Sequence, residues 1–255
     1  MPSTKATVLV GRYFKNRTKR VHRKKMNFTT PLHPVIPLHI YQTWHDKKHI
    51  PLPVQQSIDK IKEQNPEFEH HLYDSKECRQ FISDHFPKNV VEAYDGVAAN
   101  ALKADLWRYC VMYEKGGIYL DSKFYGIDGF KFIYLTDKEH FCSDFNEKLG
   151  AVSNGLFICK PKNPFFLKAI HQFVKNTKEK YYGPTALCIG PLMLAPFVSE
   201  FSIYHIIVNN RNKYYVYKGH PILKSNEYVK GKSKKNHWIT LWKEKKLYKN
   251  MENVA

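Results

Sequence analysis

Four charged side chains in a nineteen-residue stretch have the types and spacing for chemistry on an anionic ligand: Asp105, Arg108, Asp121 and Lys123. Asp105 and Arg108 are three apart, so on a helix they sit side by side. Asp121 follows the short apolar run Ile118-Tyr119-Leu120. A carboxylate beyond the end of a buried strand stands where open α/β sheets bind ligands. An aspartate beside an arginine, near a second aspartate, can hold the hydroxyls and phosphates of a sugar nucleotide. The same residues are also compatible with a surface ion pair and a turn aspartate.

The elements that must position these groups are legible around them. Leu102, Leu106, Tyr109 and Tyr113 recur at helical spacing and form one apolar stripe, with Ala101, Asp105, Arg108 and Met112 beside it. Gly116-Gly117 supplies the stop for that helix. The next three residues are too apolar for a surface strand and read as central. Upstream, residues 36–44 read as a first strand, 54–64 as a helix opened by Pro51-x-Pro53 and stopped at Asn65-Pro66, and 68–73 as a second strand. Ser75 is read as the cap of a short helix, and residues 87–95 as a helix or turn. Downstream, Lys131–Leu135 is a short helix or strand, 151–159 a strand, 163–178 an amphipathic helix, and 185–200 a second helix. Tyr214–Tyr217 and Ile222 are β-like. Alternating strands and helices imply an α/β fold, a mixed central sheet with helices on both faces.

Several motifs in order carry a family resemblance. Lys103-x-Asp105-Leu106-Trp107-Arg108-Tyr109, then Gly116-Gly117-Ile118-Tyr119-x-Asp121, resembles the core signature of glycosyltransferase family 32, whose sugar-binding region carries a D-x-D motif. That group includes the yeast initiating mannosyltransferases and is distantly similar to the glucosyltransferase domains of large clostridial toxins. Ile36-Pro37 through Gln42-Thr43-Trp44, Asn65-Pro66 with Tyr73-Asp74, Asn154-Gly155-Leu156-Phe157-Ile158, Gly190-Pro191 and His237 with Trp242 resemble its outer segments. Together they cover roughly residues 35–243. The resemblance implies a GT-A-like nucleotide-sugar fold and transfer of a hexosyl group from a UDP- or GDP-hexose donor, with retention of configuration, to a hydroxyl acceptor on a glycan, protein or lipid.

The resemblance also implies roles. Asp105 and Arg108 match donor-sugar contacts, a carboxylate for hydroxyls and a guanidinium for hydroxyl or phosphate. Asp121 faces ribose, diphosphate or metal. Trp44, at a strand end, offers an indole face to the base, with Gln42 and Thr43 as hydrogen-bonding neighbours for base or ribose. His237 and Trp242 resemble a loop that closes over the diphosphate, and Asn154 stands on the acceptor side. The departure is Lys123, which occupies the second aspartate position. In the resembling enzymes the paired aspartates hold a divalent cation, usually manganese, and magnesium is the other candidate; such ions want oxygen ligands. Three readings stay open: Lys123 neutralises the diphosphate in place of metal, a metal remains on Asp121, the diphosphate and His237, or the protein binds donor without transferring it.

Composition bounds the rest. A chain of 255 residues can bury one sizeable core, so a single domain over 35–255 is expected after a basic arm at 1–34. Net charge is +18, and nine Lys or Arg with no acid lie within residues 1–27. Such an arm is expected to be disordered. It favours anionic surfaces through non-specific charge, but with the other motifs in place nucleic-acid or surface binding is the lesser alternative to an enzyme. No signal peptide pattern is present, and the longest apolar stretch falls short of the ~20 residues a spanning helix needs; a cytoplasmic enzyme without a transmembrane anchor is expected, of a bacterial or large-virus type. Five cysteines without C-x-x-C spacing support neither a zinc centre nor a disulfide framework, and Cys110 and Cys159 read as small buried residues.

Overall fold

A computed structural model describes residues 33–143, 151–183, 190–198, 204–209, 214–226 and 237–249. The basic arm of residues 1–27 and Cys188 lie outside them, as do residues 185–189 and 199–200 of the run expected to be helical at 185–200. Of that run, residues 191–194 form turns and only Ala195–Val198 is helical. Pro191 and Pro196 break the periodicity there, since each lacks an N–H and fixes its own φ.

The described elements alternate largely as the patterning predicts. Strand β1 (His39–Thr43) leads to helix α1 (Leu52–Gln64) and strand β2 (Glu69–Tyr73). Helices α2 (Ser75–His85), α3 (Lys88–Gly96) and α4 (Asn100–Lys115) follow. Next come β3 (Gly117–Leu120), β4 (Phe124–Gly126), a 3-10 turn at Phe132–Leu135, β5 (His140–Ser143) and β6 (Val152–Cys159). Helix α5 (Pro164–Lys178), α6 (Ala195–Val198), β7 (Tyr204–Asn209), β8 (Tyr214–Tyr217), β9 (His220–Ser225) and α7 (Trp238–Lys243) complete them. Helix α2 is capped by Asp74, not Ser75: the Asp74 carboxylate accepts from Lys76 N and Glu77 N, and Glu77 accepts in return from Asp74 N. An aspartate three residues before a glutamate makes the reciprocal box that a serine one position later cannot. β4 and β5 escape the sequence reading because three or four residues carry too little alternation to register.

The strands form one mixed sheet in the order β2-β1-β3-β6-β5-β7-β8-β9-β4. β1 runs parallel to both β2 and β3, and β6 runs antiparallel to β3. Alternation along each strand splits the core in two. Tyr41, Tyr119 and Phe157 face the layer of α2, α3, α4 and α5. Ile40, Ile118, Leu120, Leu156 and Ile158 face the other side, against Ile61 of α1 and the Phe132–Leu135 turn. β3 is buried along its whole length, as a central strand covered on both faces must be.

One junction sets the register of the site. Helix α4 ends at Gly116, with φ 63° and ψ −157°, and Gly117 follows at φ 92°. A Cβ on Gly116 would stand 2.5 Å from Pro161 N, closer than real Cβ contacts come. This pair lets the chain leave a buried helix and enter a buried strand without a loop, so Asp105 and Asp121 are placed by one continuous rigid segment. Gly116→Ala is expected to destabilise the fold by about 2 kcal/mol or more, from left-half backbone strain plus the collision, read as a lower urea midpoint at unchanged m-value; an unchanged midpoint would show that the junction relaxes freely.

Candidate functional site

The sheet's parallel strands bring their carboxyl ends to one edge. Thr43 closes β1 there, and the chain continues to Trp44, whose N–H donates to Tyr73 O at the end of β2. Asp121 lies just past β3. Because β6 is antiparallel and Leu120 pairs with Leu156, the start of β6 returns Ser153 and Asn154 to the same edge. Helix α4 crosses behind with Asp105 and Arg108 on the face turned toward it.

Arg108 is the hub. Its side chain is only 7% exposed. Nη2 stands 3.2 Å from Asp105 Oδ1 and Nη1 3.2 Å from Asp121 Oδ1. Nε donates to Ala104 O at 3.1 Å, and Nη1 also donates to Asn154 O. The guanidinium lies over the Tyr119 ring, 4.5 Å from its centre. One cation thus joins α4, β3 and β6. Burial alone would disfavour its charge, but Tyr119, Asp105 and Asp121 around it raise its pKa further.

The two carboxylates differ in kind. Asp105 is nearly buried, and that burial pushes its pKa up to about 6 against the pull of Arg108 and a hydrogen bond from Asn154; the charge of Asp121 adds to the rise. Asp121 keeps 26% of its side chain exposed. Burial works against its ionisation too, yet Lys123, Arg108 and the Tyr119 hydroxyl outweigh it and hold its pKa below the usual carboxylate range. Tyr119 donates to Asp121 Oδ1 at 2.8 Å, and Lys123 Nζ stands 3.4 Å from Oδ2.

Two clefts meet at this cluster and share Ala101, Arg108, Asp121 and Lys123. The first, of about 290 Å³, is lined by Asp105, Ser153, Asn154, Gly155, Gly190, Tyr215 and Trp238 among others. The second, of about 280 Å³, is lined by Thr43, Trp44, His45, Tyr94, Lys103 and Ser122 among others. Lys103 has its pKa lowered by burial and by nearby Lys249, and its Nζ sits 4.9 Å from the centre of the Tyr94 ring.

The structure thus brings Thr43, Trp44, Asp105, Arg108, Asp121, Lys123 and Asn154 to one pair of clefts. Asn154 Nδ2 donates to Tyr109 OH at 2.8 Å, and its buried Oδ1 has no hydrogen-bond partner. Three other expected residues are placed elsewhere. Gln42 is fully buried on the opposite face of β1, bonded to His70 at 2.7 Å; in a strand, neighbours point to opposite faces, so Thr43 and Gln42 cannot both reach the cleft. His237 caps α7, its Nδ1 accepting from Ile239 N at 3.3 Å, and lines neither cleft. Trp242 packs against the α4 side of the core and donates its indole N–H to Tyr182 O. The aromatic that reaches the cleft from this segment is Trp238, one helical turn earlier.

Sequence reasoning missed Tyr215, whose hydroxyl bonds Ser153 Oγ at 2.9 Å and whose ring meets Phe124 edge-on. No motif surrounds it. Gly155 and Gly190 stood inside noted motifs, and their function is space. A Cβ on Gly155 would meet Tyr215 OH at 2.3 Å and Asp121 Oδ2 at 3.3 Å; one on Gly190 would meet Asp105 Oδ2 at 3.2 Å.

The donor set bears on the expected cation. A divalent metal of the manganese or magnesium type needs several free oxygens. Asp121 is the sole exposed carboxylate edge among the described lining residues, and Lys123 holds its Oδ2. An ammonium stands where a second ligand would be, so these residues do not fit a resident metal.

The comparisons with known proteins agree with the fold. The family described as capsular polysaccharide synthesis protein matches residues 5–251. Inositol phosphoceramide mannosyltransferase 2 of Schizosaccharomyces pombe is 28% identical over 166 residues, covering 64% of this chain and 46% of that protein. The initiation-specific alpha-1,6-mannosyltransferase of Candida albicans is 29% identical over 96 residues, covering 36% and 25%. The chain spans about half or less of these relatives. A solved structure, PaToxG glycosyltransferase, superposes with a TM-score of 0.50 at 17% identity, over 65% of this chain and 68% of that one. The fold is therefore the GT-A-like mixed α/β fold of a glycosyltransferase. No described helix is long and apolar enough to cross a membrane.

The carboxylates predict a pH signature. Asp105, with its pKa raised to about 6, binds a proton in the folded state that the unfolded chain has released above about pH 4. Its contribution to stability is full below the unfolded value and is lost as pH rises through about 6. Asp121 acts in the opposite sense, losing its contribution only below the usual carboxylate range. Between about pH 4 and pH 6 Asp105 pulls stability down as pH rises, against the opposite pull of His70, whose pKa burial lowers to about 4. In denaturation measurements Asp105→Asn, neutral throughout, is expected to make the slope of stability against pH more positive than in the wild type. A slope unchanged in the variant would assign it to another group.

Proposed function

This chain belongs to the capsular polysaccharide synthesis protein family, and from that premise we propose that it is a glycosyltransferase, moving a hexosyl group from a nucleotide-sugar donor to a hydroxyl acceptor. The observation that carries the reading is the meeting of two clefts at one alternating row of charge, Asp105, Arg108, Asp121 and Lys123. The mannosyltransferase relatives support glycosyl transfer; the UDP- or GDP-hexose donor and retention of configuration follow from the motif resemblance.

The cleft beside Thr43 and Trp44 suits the nucleoside, with an indole for the base and the Thr43 side chain near the ribose. The diphosphate then lies at the shared residues. There Lys123 meets its negative charge, and Arg108, already committed to two carboxylates, fixes the geometry around it. The hexose reaches into the cleft of Asp105, Asn154 and Tyr215, where Asp105 can donate or accept a hydrogen bond near neutral pH according to its proton. Trp238 and Ser153 border the side from which a hydroxyl acceptor enters.

Two carboxylates line the described clefts, and both are tied to Arg108. Neither is free to act as a nucleophile on the sugar. Retention then proceeds on the face from which the diphosphate leaves, with a phosphate oxygen taking the acceptor proton. Charge on the departing diphosphate is neutralised by Lys123 from a preorganised position, which is the role a metal plays elsewhere. Lys123 also favours one second reading, a protein that holds the nucleotide sugar without transferring it.

A panel of UDP- and GDP-hexoses read by thermal shift, followed by transfer assays with the donor that stabilises, tests this. Asp121→Ala and Lys123→Ala are each expected to lower kcat/KM by about 10²–10³-fold, the scale of losing one preorganised electrostatic partner. A chelator leaves most activity in the wild type, whereas Lys123→Asp rebuilds the carboxylate pair and makes transfer depend on added manganese. Full chelator inhibition of the wild type overturns the lysine role. Saturable donor binding without turnover on any acceptor supports the second reading, and unimpaired transfer by Asp121→Ala overturns the site.

A further inference from the structure

Away from the clefts, at the opposite end of β1 and β2, three metal-type donors converge. His39 Nδ1, His71 Nε2 and a Glu69 carboxylate come together on one sheet face. The separations are 3.1 Å between the two imidazole nitrogens, 3.3 Å from His39 Nδ1 to Glu69 Oε2, and 3.6 Å from His71 Nε2 to Glu69 Oε1. Nitrogen and oxygen ligands about 2.0–2.1 Å from a tetrahedral zinc lie about 3.3 Å from one another. The three distances straddle that edge length.

The backbone fixes this convergence. Parallel pairing sets His39 opposite Glu69 and Tyr41 opposite His71. Residues two apart on a strand share a face, so both histidines and the glutamate point the same way. The Tyr41 ring stacks on the His71 imidazole at 4.8 Å and 12°, which holds its plane. Side-chain exposures of 38%, 67% and 25% for His39, Glu69 and His71 leave an approach from solvent and a fourth position for water.

We propose that His39, Glu69 and His71 form a zinc-class metal site that clasps the edge strand β2 to β1. Two imidazoles and one carboxylate suit zinc and its borderline-soft neighbours, and suit calcium or magnesium poorly. β2 is the outermost strand at its end of the sheet. The role is structural. Thr43 lies four positions beyond His39, about 13 Å along an extended strand, so the ion stands far from the nucleotide clefts and takes no part in transfer. It does support them at a distance, because the far end of β2 offers Tyr73 O to Trp44 N and to Thr43 Oγ1, the latter at 2.9 Å. The site stands independently of the glycosyltransferase reading.

The test uses the untagged full chain, zinc ion alone as probe, and magnesium as the control. Competition against a chromophoric chelator is expected to give one saturable zinc per chain, with a rise in Tm. Cobalt(II) in its place gives the visible absorption of a tetrahedral site. His39→Ala and His71→Ala each weaken zinc binding by more than about 100-fold, beyond the 10–100-fold that loss of an outer partner costs, and abolish the cobalt spectrum. His171→Ala, an exposed histidine on α5, leaves both unchanged. The proposal is overturned if the wild type shows no saturable uptake, if the His39→Ala/His71→Ala double variant binds zinc as the wild type does, or if magnesium produces the same stabilisation.

Discussion

The buried guanidinium of Arg108 is the constraint around which the cleft is organised. It sits between two carboxylates and gives hydrogen bonds to two backbone carbonyls from different elements. A cation this deep in the protein is tolerable only with close partners, and removing one partner of a buried pair costs about 3–5 kcal/mol. The requirement runs both ways. Asp105 and Asp121 must face Arg108, so the helix, the strand after it and the start of β6 are locked in one relative position. A site that orients a charged ligand is thereby preorganised before any ligand arrives, because the polar groups already satisfy one another.

The lock also distributes tasks between the aspartates. Asp105 is enclosed and its proton is retained toward neutrality, whereas Asp121, with Tyr119, Arg108 and Lys123 about it, stays ionised. Two carboxylates whose surroundings push their proton affinities apart can take different roles in one cleft. Lys123 completes the row as plus follows minus. The replacement of a carboxylate by an ammonium at that position reverses the charge there, and under the proposed function the cleft then takes a phosphate oxygen in place of a hydrated cation.

The likeness to glycosyltransferases is of fold and of motif order, with sequence identities below 30% for the mannosyltransferases named and 17% for the solved structure. The motif resemblance centres on the helix-glycine-strand segment. Gly116 and Gly117 are needed because no other residue turns the chain so tightly between two buried elements. Gly155 and Gly190 serve a different need, since each leaves room for a polar group of the cleft. Conformation in one pair and volume in the other explain why glycine-containing motifs were the most informative marks along the chain.

The sequence by itself determined the local parts: the apolar stripe of α4, its glycine stop, the buried β3, and the neighbourhood of Asp105, Arg108 and Asp121. These follow from periodicity and short-range geometry, which a one-dimensional pattern encodes. It also marked Trp44 and Thr43 as strand-end residues, because the end of a run is visible in the chain. Only the tertiary structure decided which way side chains point and what lies across from them. Gln42 and Thr43 are neighbours in sequence yet face opposite sides of the sheet. Tyr215 reaches the cleft from a segment without a motif, and Trp238 reaches it from inside the His237–Trp242 motif, whose named aromatic, Trp242, is half-buried against the core instead. The His39, Glu69 and His71 cluster exists through strand pairing alone. Partners separated by tens of residues are chosen by register and packing, and that information is held by the whole fold at once.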